Sequence, residues 1–317
     1  MTAAVNEFDH PALFYRDDEE YLAGTVPFIR EGLAAGEPVA VAVPGPNLHL
    51  IRDALGADAE QVLLRDMTVV GRNPGRIIPA VLLAFANTHP GRRVRLIGEP
   101  IWAGRSPSEY PACAQHEALI NAAFTDRSAT ILCPYDTGSL DPAWVEDAYR
   151  THPVLLEAGL RFDSAEYADP LAVAASFNQP LSDPPADAAT LTVGLQALAA
   201  VRRFVTEHAQ RAGLPDERIV DLTIVITELA ENAVEHGGGT GHLAVWADGE
   251  DLICQLTDRG YLADPLAGRI PVTDHTRQGG RGLLLINQLS DLVRVHTTPV
   301  GTSTRIYLSR QSVTESV

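Results

Sequence analysis

The chain has 317 residues, 45% of them hydrophobic and 21% charged, which is the composition of a globular protein with length enough for two domains. Its net charge of −17 repels phosphate backbones, and its basic clusters, Arg92-Arg93-Val94-Arg95 and Arg202-Arg203, are short, so direct nucleic-acid binding is not expected. Three widely spaced cysteines (Cys113, Cys133, Cys254), an N-terminus MTAAVNEFDH without a basic and apolar leader, and no apolar run near the ~20 residues of a membrane span predict a cytoplasmic protein without a membrane anchor.

In chain order, the first part alternates buried strands with helices. Residues 38–44 (PVAVAVP), 94–100 (VRLIGEP) and 129–136 (ATILCPYD) read as strands, and 75–88 and 109–123 as helices. That order predicts a mostly parallel α/β sheet. The strand at 39–43 runs into Pro44-Gly45-Pro46-Asn47, with no GK[ST] to cradle phosphate. Residues 169–188, DPLAVAASFNQPLSDPPADA, hold four prolines and read as a linker or a packed extended arm, with the boundary near 181–188. The expected domains are 1–180 and 186–312.

The second part has a different rhythm. A strand at 191–193 leads to a helix stopping near Gly213-Leu214-Pro215, and a second helix covers 219–236. Strands HLAVWA and LICQLTD are joined across Asp248-Gly249-Glu250, a hairpin signal. A loose stretch with Pro265, Gly268 and Pro271 precedes Gly279-Gly280-Arg281-Gly282, which opens a third helix. Strands at 293–298 and 303–308 flank a turn at Pro299-Val300-Gly301.

The helix at 219–236 carries two stripes. Leu222, Val225, Ile226, Leu229 and Ala233 form a core-facing stripe; Glu228 and Asn232, four apart, share another face with Asp221 and Glu235. A carboxylate and an amide side by side offer a general base and an oxygen ligand for a hard cation such as Mg²⁺, although a solvated helix face has the same pattern. Asp258-Arg259-Gly260 ends a strand, where the carboxylate can accept from an exocyclic amine and the glycine lets a flat ring approach. Gly280-Arg281-Gly282-Leu283 begins a helix and offers backbone N–H groups to phosphates.

These motifs in this order, ELAENAVEHG, TDRG, GGRGL and a closing GTSTRIYL, resemble the GHKL ATPase superfamily, and within it the anti-sigma-factor serine/threonine kinases, over residues 191–308. The resemblance implies a Bergerat-type α/β sandwich with ATP between a helical layer and a mixed sheet. It implies that Asn232 ligates Mg²⁺, that Glu228 is the catalytic base, and that Asp258 binds the adenine amino group beside Gly260. Gly280, Arg281, Gly282 and Leu283 would line the phosphates, and Thr304 or Thr302 would sit near the adenine. Two departures stand out: Leu262 occupies a position that is often glycine, and 261–278, the expected lid, offers no phosphate-binding lysine. His236 reads as a structural residue at the helix end. No long helical hairpin precedes the domain to present His208 as a phospho-acceptor, which disfavours a histidine kinase. The implied partners are a STAS-type anti-anti-sigma protein, as phosphorylation substrate, and a sigma factor. Arg202 and Arg203 are candidate contacts or simply solvated charges. The alternative is a switch gated by ATP or by a ligand without phosphoryl transfer; a homodimer is one arrangement left open.

The first part, through HPALFYRDDEEYLAGTVPFIREGLAAGEPVAVAV, IGEPIWAGR, QHEALINAAF, ILCPYD and THP, resembles the MEDS sensory domain over about 8–159. That resemblance implies a RecA-like α/β fold without its nucleotide loop and a small-molecule signal. Its polar residues near strand ends, Glu99, Trp102, Glu117, Asn121, Tyr135 and Asp136, with His10 and His152, are candidates for a sensory pocket or a set of structural hydrogen bonds. Cys113 and His116 stand in C-x-x-H spacing with Cys133 elsewhere, a pattern open to zinc but more simply read as buried cysteines.

Overall fold

The computed structural model describes residues 7–271 and 281–311. Two compact units, Met1–Phe177 and Asn178–Val317, divide the chain.

The N-terminal unit is built on eight strands: β1 (Phe8–Asp9), β2 (Pro11–Tyr15), β3 (Val39–Val43), β4 (Val62–Asp66), β5 (Val94–Gly98), β6 (Ala129–Asp136), β7 (Val154–Glu157) and β8 (Leu160–Asp163). They form one sheet in the order β4-β3-β5-β6-β2-β7-β8, with β1 also on β6. Every pairing is parallel except the β7–β8 hairpin. Strands β2 and β3 are buried along their whole length, as parallel strands covered on both faces must be.

Among the described residues this unit has eight α-helices. Helix α1 (Asp18–Ala34) starts where Asp17 accepts from the Glu20 backbone N–H, and α2 (Gly45–Leu55) follows β3 directly. The helix expected over 75–88 runs without a gap through 74–87, but its middle is a π-helical turn. After the one-turn α3 (Met67–Val70), α4 (Pro74–Ile77) and α5 (Leu83–Asn87) flank a π-helical turn at Ile78–Leu82. Pro79 lies in that turn, where its missing N–H and its ring exclude the regular α-helical ladder. Helices α6 (Tyr110–Ala123), α7 (Pro142–Thr151) and α8 (Pro170–Ser176) complete the unit, and ten of the fourteen residues of α6 are buried.

The C-terminal unit is a five-stranded antiparallel sheet, β12-β13-β11-β10-β9, formed by β9 (Ala189–Gly194), β10 (Thr240–Asp248), β11 (Asp251–Asp258), β12 (Leu292–Thr298) and β13 (Gly301–Ser309). Helices α9 (Leu198–Ala212), α10 (Asp216–Glu235) and α11 (Arg281–Leu289) carry the apolar side chains that pack on it. Helix α9 ends at Gly213, whose left-handed φ of 76° suits a glycine C-cap. The buried stripe of α10 contains all five residues expected from the sequence, joined by Ile219 and Ala230.

The proline-rich segment is a packed arm. Asn178 exchanges two hydrogen bonds with the backbone of Thr297, and the Arg305 guanidinium donates to Ser182 and to Gln255. Arg305 also lies 5.1 Å over the Trp246 ring. Among the described residues no helix is long and apolar enough to cross a membrane.

Candidate functional site

In the C-terminal unit the site is assembled along the last turns of α10. Glu228 is half-buried, and its carboxyl is held above the usual carboxylate range, first by burial and then by Glu231 one turn away on the helix. A Cβ on Gly282 would run into Glu228 Oε2, so the start of α11 lies directly against this carboxylate. Asn232, one turn on, has a half-buried side-chain amide with no protein partner among the described residues. Its backbone oxygen accepts from His236 and Gly237 at 2.8 and 3.1 Å, which ends the helix.

Gly237 then brings in the second motif. A Cβ there would meet Asp258 Cγ at 2.6 Å and one on Gly260 would meet the His236 carbonyl at 2.7 Å, so both positions admit only glycine. Arg259 N–H donates to the Gly237 carbonyl at 3.1 Å, and Gly260 N–H donates to Asp258 Oδ1 at 2.6 Å. Burial raises the Asp258 carboxyl, and the Gly260 N–H works against that rise. Strand register opposes Asp258 to Thr302 and Leu256 to Thr304, and the same face continues to Cys254 and Ile306 of the core. Asp258, Thr302 and Thr304 therefore share the face of the sheet that looks toward the helices. Thr302 donates to the Gly260 carbonyl at 2.9 Å and bonds Thr297 at 2.7 Å. Of the two threonines, both buried, Thr302 is the one wired to the Asp258 loop.

A continuous series results: Gly282, Glu228, Asn232, Gly237, Asp258, Gly260, Thr302. Glu228 and Gly237 are nine positions apart, about 14 Å along the helix axis. Leu283 begins the contact of α11 with Gly268, where a Cβ would meet Leu283 Cβ at 2.6 Å, and Asn287 fastens that loop by donating to the Gly268 carbonyl at 3.1 Å. Leu262 uses its N–H to bond Thr297 Oγ1 at 2.9 Å. Arg281 is exposed at the helix start, and Gly280 lies outside the described residues, as does the end of the expected lid.

The eight candidate positions of the N-terminal unit separate into groups. Glu99, 2% exposed, follows β5 at the C-terminal edge of the sheet. It accepts from Tyr15 at 3.1 Å, from Tyr21 at 3.3 Å and from Asn47 at 3.0 and 2.9 Å. Burial pushes its carboxyl up to about 7 against the opposing pull of those donors. Asn47, in the first turn of α2, brings its side-chain amide to Glu99 at the C-terminal edge of the sheet. Asp136 caps its own turn by accepting from Gly138 and Ser139. Trp102 packs under the Arg105 guanidinium, 3.9 Å from its ring centroid.

Glu117 and Asn121 belong elsewhere, with His10 and His152. Glu117 Oε2 lies 3.4 Å from His10 Nε2 and 3.3 Å from His152 Nε2, and Asn121 Oδ1 lies 3.2 Å from His10 Nδ1. Tyr135 is fully buried and meets the His152 ring edge-on, centroids 5.5 Å apart. Burial lowers the His10 imidazole to about 4 and raises the Cys133 thiol, so both are neutral without a further charge nearby. Tyr15, Tyr21 and Asn47 were not among the sequence candidates; Tyr15 ends β2, Tyr21 lies in α1 and Asn47 in the first turn of α2, three elements that only the fold brings to Glu99.

Comparison with known proteins agrees with this division. Residues 9–153 match the MEDS family (MEthanogen/methylotroph, DcmR Sensory domain), and residues 191–308 match the histidine kinase-like ATPase domain. The chain is a MEDS domain followed by a histidine kinase-like ATPase domain. The ATPase domain is similar to the serine-protein kinase RsbW of Halalkalibacterium halodurans, 34% identical over 109 residues, 30% of this chain and 65% of that protein. The chain thus spans less than two thirds of the relative's length. Among solved structures, the RsbU and RsbW domains of Rv1364c from Mycobacterium tuberculosis align over 39% of this chain and 33% of theirs, with 22% identity and a TM-score of 0.30. The Acinetobacter baumannii histidine kinase AdeS aligns over 49% of this chain and 89% of its own, with 13% identity and a TM-score of 0.24.

Proposed function

We propose that this protein is a cytoplasmic regulator in which a MEDS sensory domain is joined to an ATP-dependent serine/threonine protein kinase of the anti-sigma type. The observation that carries the reading is the unbroken run of Gly282, Glu228, Asn232, Gly237, Asp258 and Gly260 along one face of α10 and the sheet below it. Glu228 and Gly237 within that run are about 14 Å apart along the helix axis, a length on the order of that of an extended nucleoside triphosphate. The similarity of the same segment to RsbW supports the choice of a serine kinase.

In this reading Asp258 accepts from the adenine amino group and, through its bond from Gly260, is held in one orientation. GTP presents a carbonyl at that position and would face the carboxylate acceptor to acceptor. The glycines on either side let the flat ring approach the backbone. Asn232 would hold Mg²⁺: its unpartnered amide oxygen is a hard neutral ligand, and Glu228 and Glu231 make the surroundings negative, which fits the ion. Bound there, the ion would supply neutralisation of the phosphate charge. Glu228 takes the proton of a serine or threonine hydroxyl on the partner. That oxygen bonds to the γ-phosphorus as the bond to the β–γ bridging oxygen breaks, and ADP leaves. The carboxyl is suited to this by its raised affinity for a proton.

The acceptor proposed is a small STAS-type anti-anti-sigma protein, and the outcome is control of a sigma factor. The test is incubation of the full chain with γ-labelled ATP, Mg²⁺ and candidate STAS-type proteins. Label on a serine or threonine of one of them is expected. Tight ATP binding with no label on any candidate would favour a nucleotide-gated binding switch, and an acid-labile phosphate on His208 would replace the serine kinase by a histidine kinase.

A further inference from the structure

Four side chains from distant parts of the N-terminal unit meet in its interior. His10 sits at the break between β1 and β2, Glu117 on α6, Cys133 in the middle of β6 and His152 just after α7. Register places Ala12 opposite Cys133, so His10, two residues before Ala12, points to the same sheet face as the thiol. All four are at most 1% exposed, and one ligand atom from each lies within 4.8 Å of all the others. The closest separations are 3.4 Å (His10 Nε2 to Glu117 Oε2), 3.3 Å (His152 Nε2 to Glu117 Oε2) and 3.3 Å (His10 Nε2 to Cys133 Sγ). Ligands 2.0–2.3 Å from a tetrahedral ion stand about 3.3–3.8 Å from one another.

The hydrogen bonds behind the cluster fix which ring nitrogens carry protons. The Asn121 amide nitrogen donates to the Thr151 carbonyl at 2.8 Å and to the Ala118 carbonyl at 3.3 Å. Its oxygen is therefore the atom turned to His10, and it accepts from Nδ1–H. His152 Nδ1 lies 3.0 Å from the Ala148 carbonyl, which can only accept, and 2.9 Å from Thr151 Oγ1, whose own proton has the Asp147 and Ala148 carbonyls to donate to at 3.1 and 3.3 Å, so a proton on Nδ1 satisfies every group there. Both histidines thus carry their proton on Nδ1 and turn an Nε2 lone pair to the same carboxylate oxygen. Neither Glu117 oxygen receives a hydrogen bond, and His152 Nε2 has none either. The Cys133 S–H, 3.3 Å away, can donate to His10 Nε2, but the lone pair of His152 Nε2 and the buried carboxylate still repel unless positive charge lies between them. One added proton would bridge one nitrogen to Glu117 and leave the other contact unrelieved. A divalent cation relieves them all.

We propose that His10, Glu117, Cys133 and His152 bind one Zn²⁺ ion in a closed tetrahedral site. Two imidazoles, one thiolate and one carboxylate match the borderline-soft character of zinc and disfavour Mg²⁺ and Ca²⁺. The charges balance: Zn²⁺ with one thiolate and one carboxylate is neutral, as a dry interior requires. On binding, the Cys133 thiol proton leaves to solvent and no electron moves. Nδ1–H groups held by a carbonyl and an amide oxygen are the outer contacts that orient metal-bound histidines. Four protein ligands leave no open position, so the ion ties β1–β2, β6, α6 and the start of β7 together and does no chemistry. Cys113 and His116, whose spacing in the sequence suggested zinc, contribute no atom to this group.

The test uses the full chain, purified without chelator after growth with zinc. Elemental analysis should find one zinc per chain. Removal of that metal and titration with Co²⁺ alone should give the visible bands of tetrahedral cobalt and a near-ultraviolet thiolate-to-cobalt band. Cys133→Ser should lose the thiolate band, and Cys254→Ser, in the other unit, should keep it. Asn121→Ala, which removes the acceptor behind His10 together with the amide's bonds to the Thr151 and Ala118 carbonyls, should weaken metal binding about 10- to 100-fold. Should Cys133→Ser fail to fold by circular dichroism, the spectrum of the unaltered chain decides. A folded chain without zinc and without a cobalt spectrum overturns the proposal, as does a thiolate band that survives Cys133→Ser.

Discussion

Replacing Glu99 by glutamine should change the pH dependence of stability of the N-terminal unit. The carboxyl is fully enclosed and held at about 7, against 4.5 for an ordinary glutamate, because burial penalises its charged form more than Tyr15, Tyr21 and Asn47 favour it. A folded-state value above the unfolded one means that the folded chain keeps a proton that the unfolded chain releases. The stabilisation is complete below pH 4.5, declines as pH rises from 4.5 to 7, and is constant above. At about 1.4 kcal/mol per pH unit, this interval is worth on the order of 3 kcal/mol. Glutamine does not titrate. The wild-type advantage over Glu99→Gln should therefore shrink by about that amount between pH 4.5 and pH 8. The assay is urea unfolding followed by tryptophan fluorescence in a Trp246→Phe background, so that Trp102 and Trp144 report on the N-terminal unit alone. Subtracting variant from wild type removes every titration the two share. A difference that stays level across this range, or that grows with pH, would refute the reasoning that burial dominates at Glu99.

Three further outcomes concern the C-terminal unit. Glu228→Gln should keep ATP affinity and lower phosphoryl transfer about 10²- to 10⁴-fold, read by label incorporation into the acceptor. Gly282→Ala sets a methyl against the Glu228 carboxylate and should lower transfer by about 10²-fold through misplacement of the base, with a smaller effect on nucleotide binding. Asp258→Asn exchanges a charged acceptor for a neutral one and should weaken ATP binding by about 1.5–3 kcal/mol, measured by calorimetry, while narrowing any preference over GTP.

The legible parts of the sequence were those encoded locally. The 3.6-residue period of Leu222, Val225, Ile226, Leu229 and Ala233 gave the buried face of α10, and with it the orientation of Glu228 and Asn232. Asp248-Gly249-Glu250 gave the β10–β11 hairpin. Less legible were β2, which pairs only with β6 and β7 far along the chain, β4, an edge strand with a half-exposed sequence, and the π-helical turn around Pro79. The grouping of the N-terminal polar residues was hidden for the same reason. His10 and Cys133 are 123 positions apart, and Asn47 is 52 from Glu99, so only the parallel sheet brings each set together. Spacing drew the eye to Cys113 and His116, yet it is the i,i+4 neighbour Glu117 that faces the cluster.

The central claim is that α10 and the strand ends beneath it hold a magnesium–nucleotide complex, and calorimetry of the full chain with ATP addresses it directly. Binding of one ATP per chain, tightened by Mg²⁺ in the wild type and indifferent to Mg²⁺ in Asn232→Ala, is the predicted result. No measurable ATP binding, or an unchanged magnesium effect in Asn232→Ala, would contradict it.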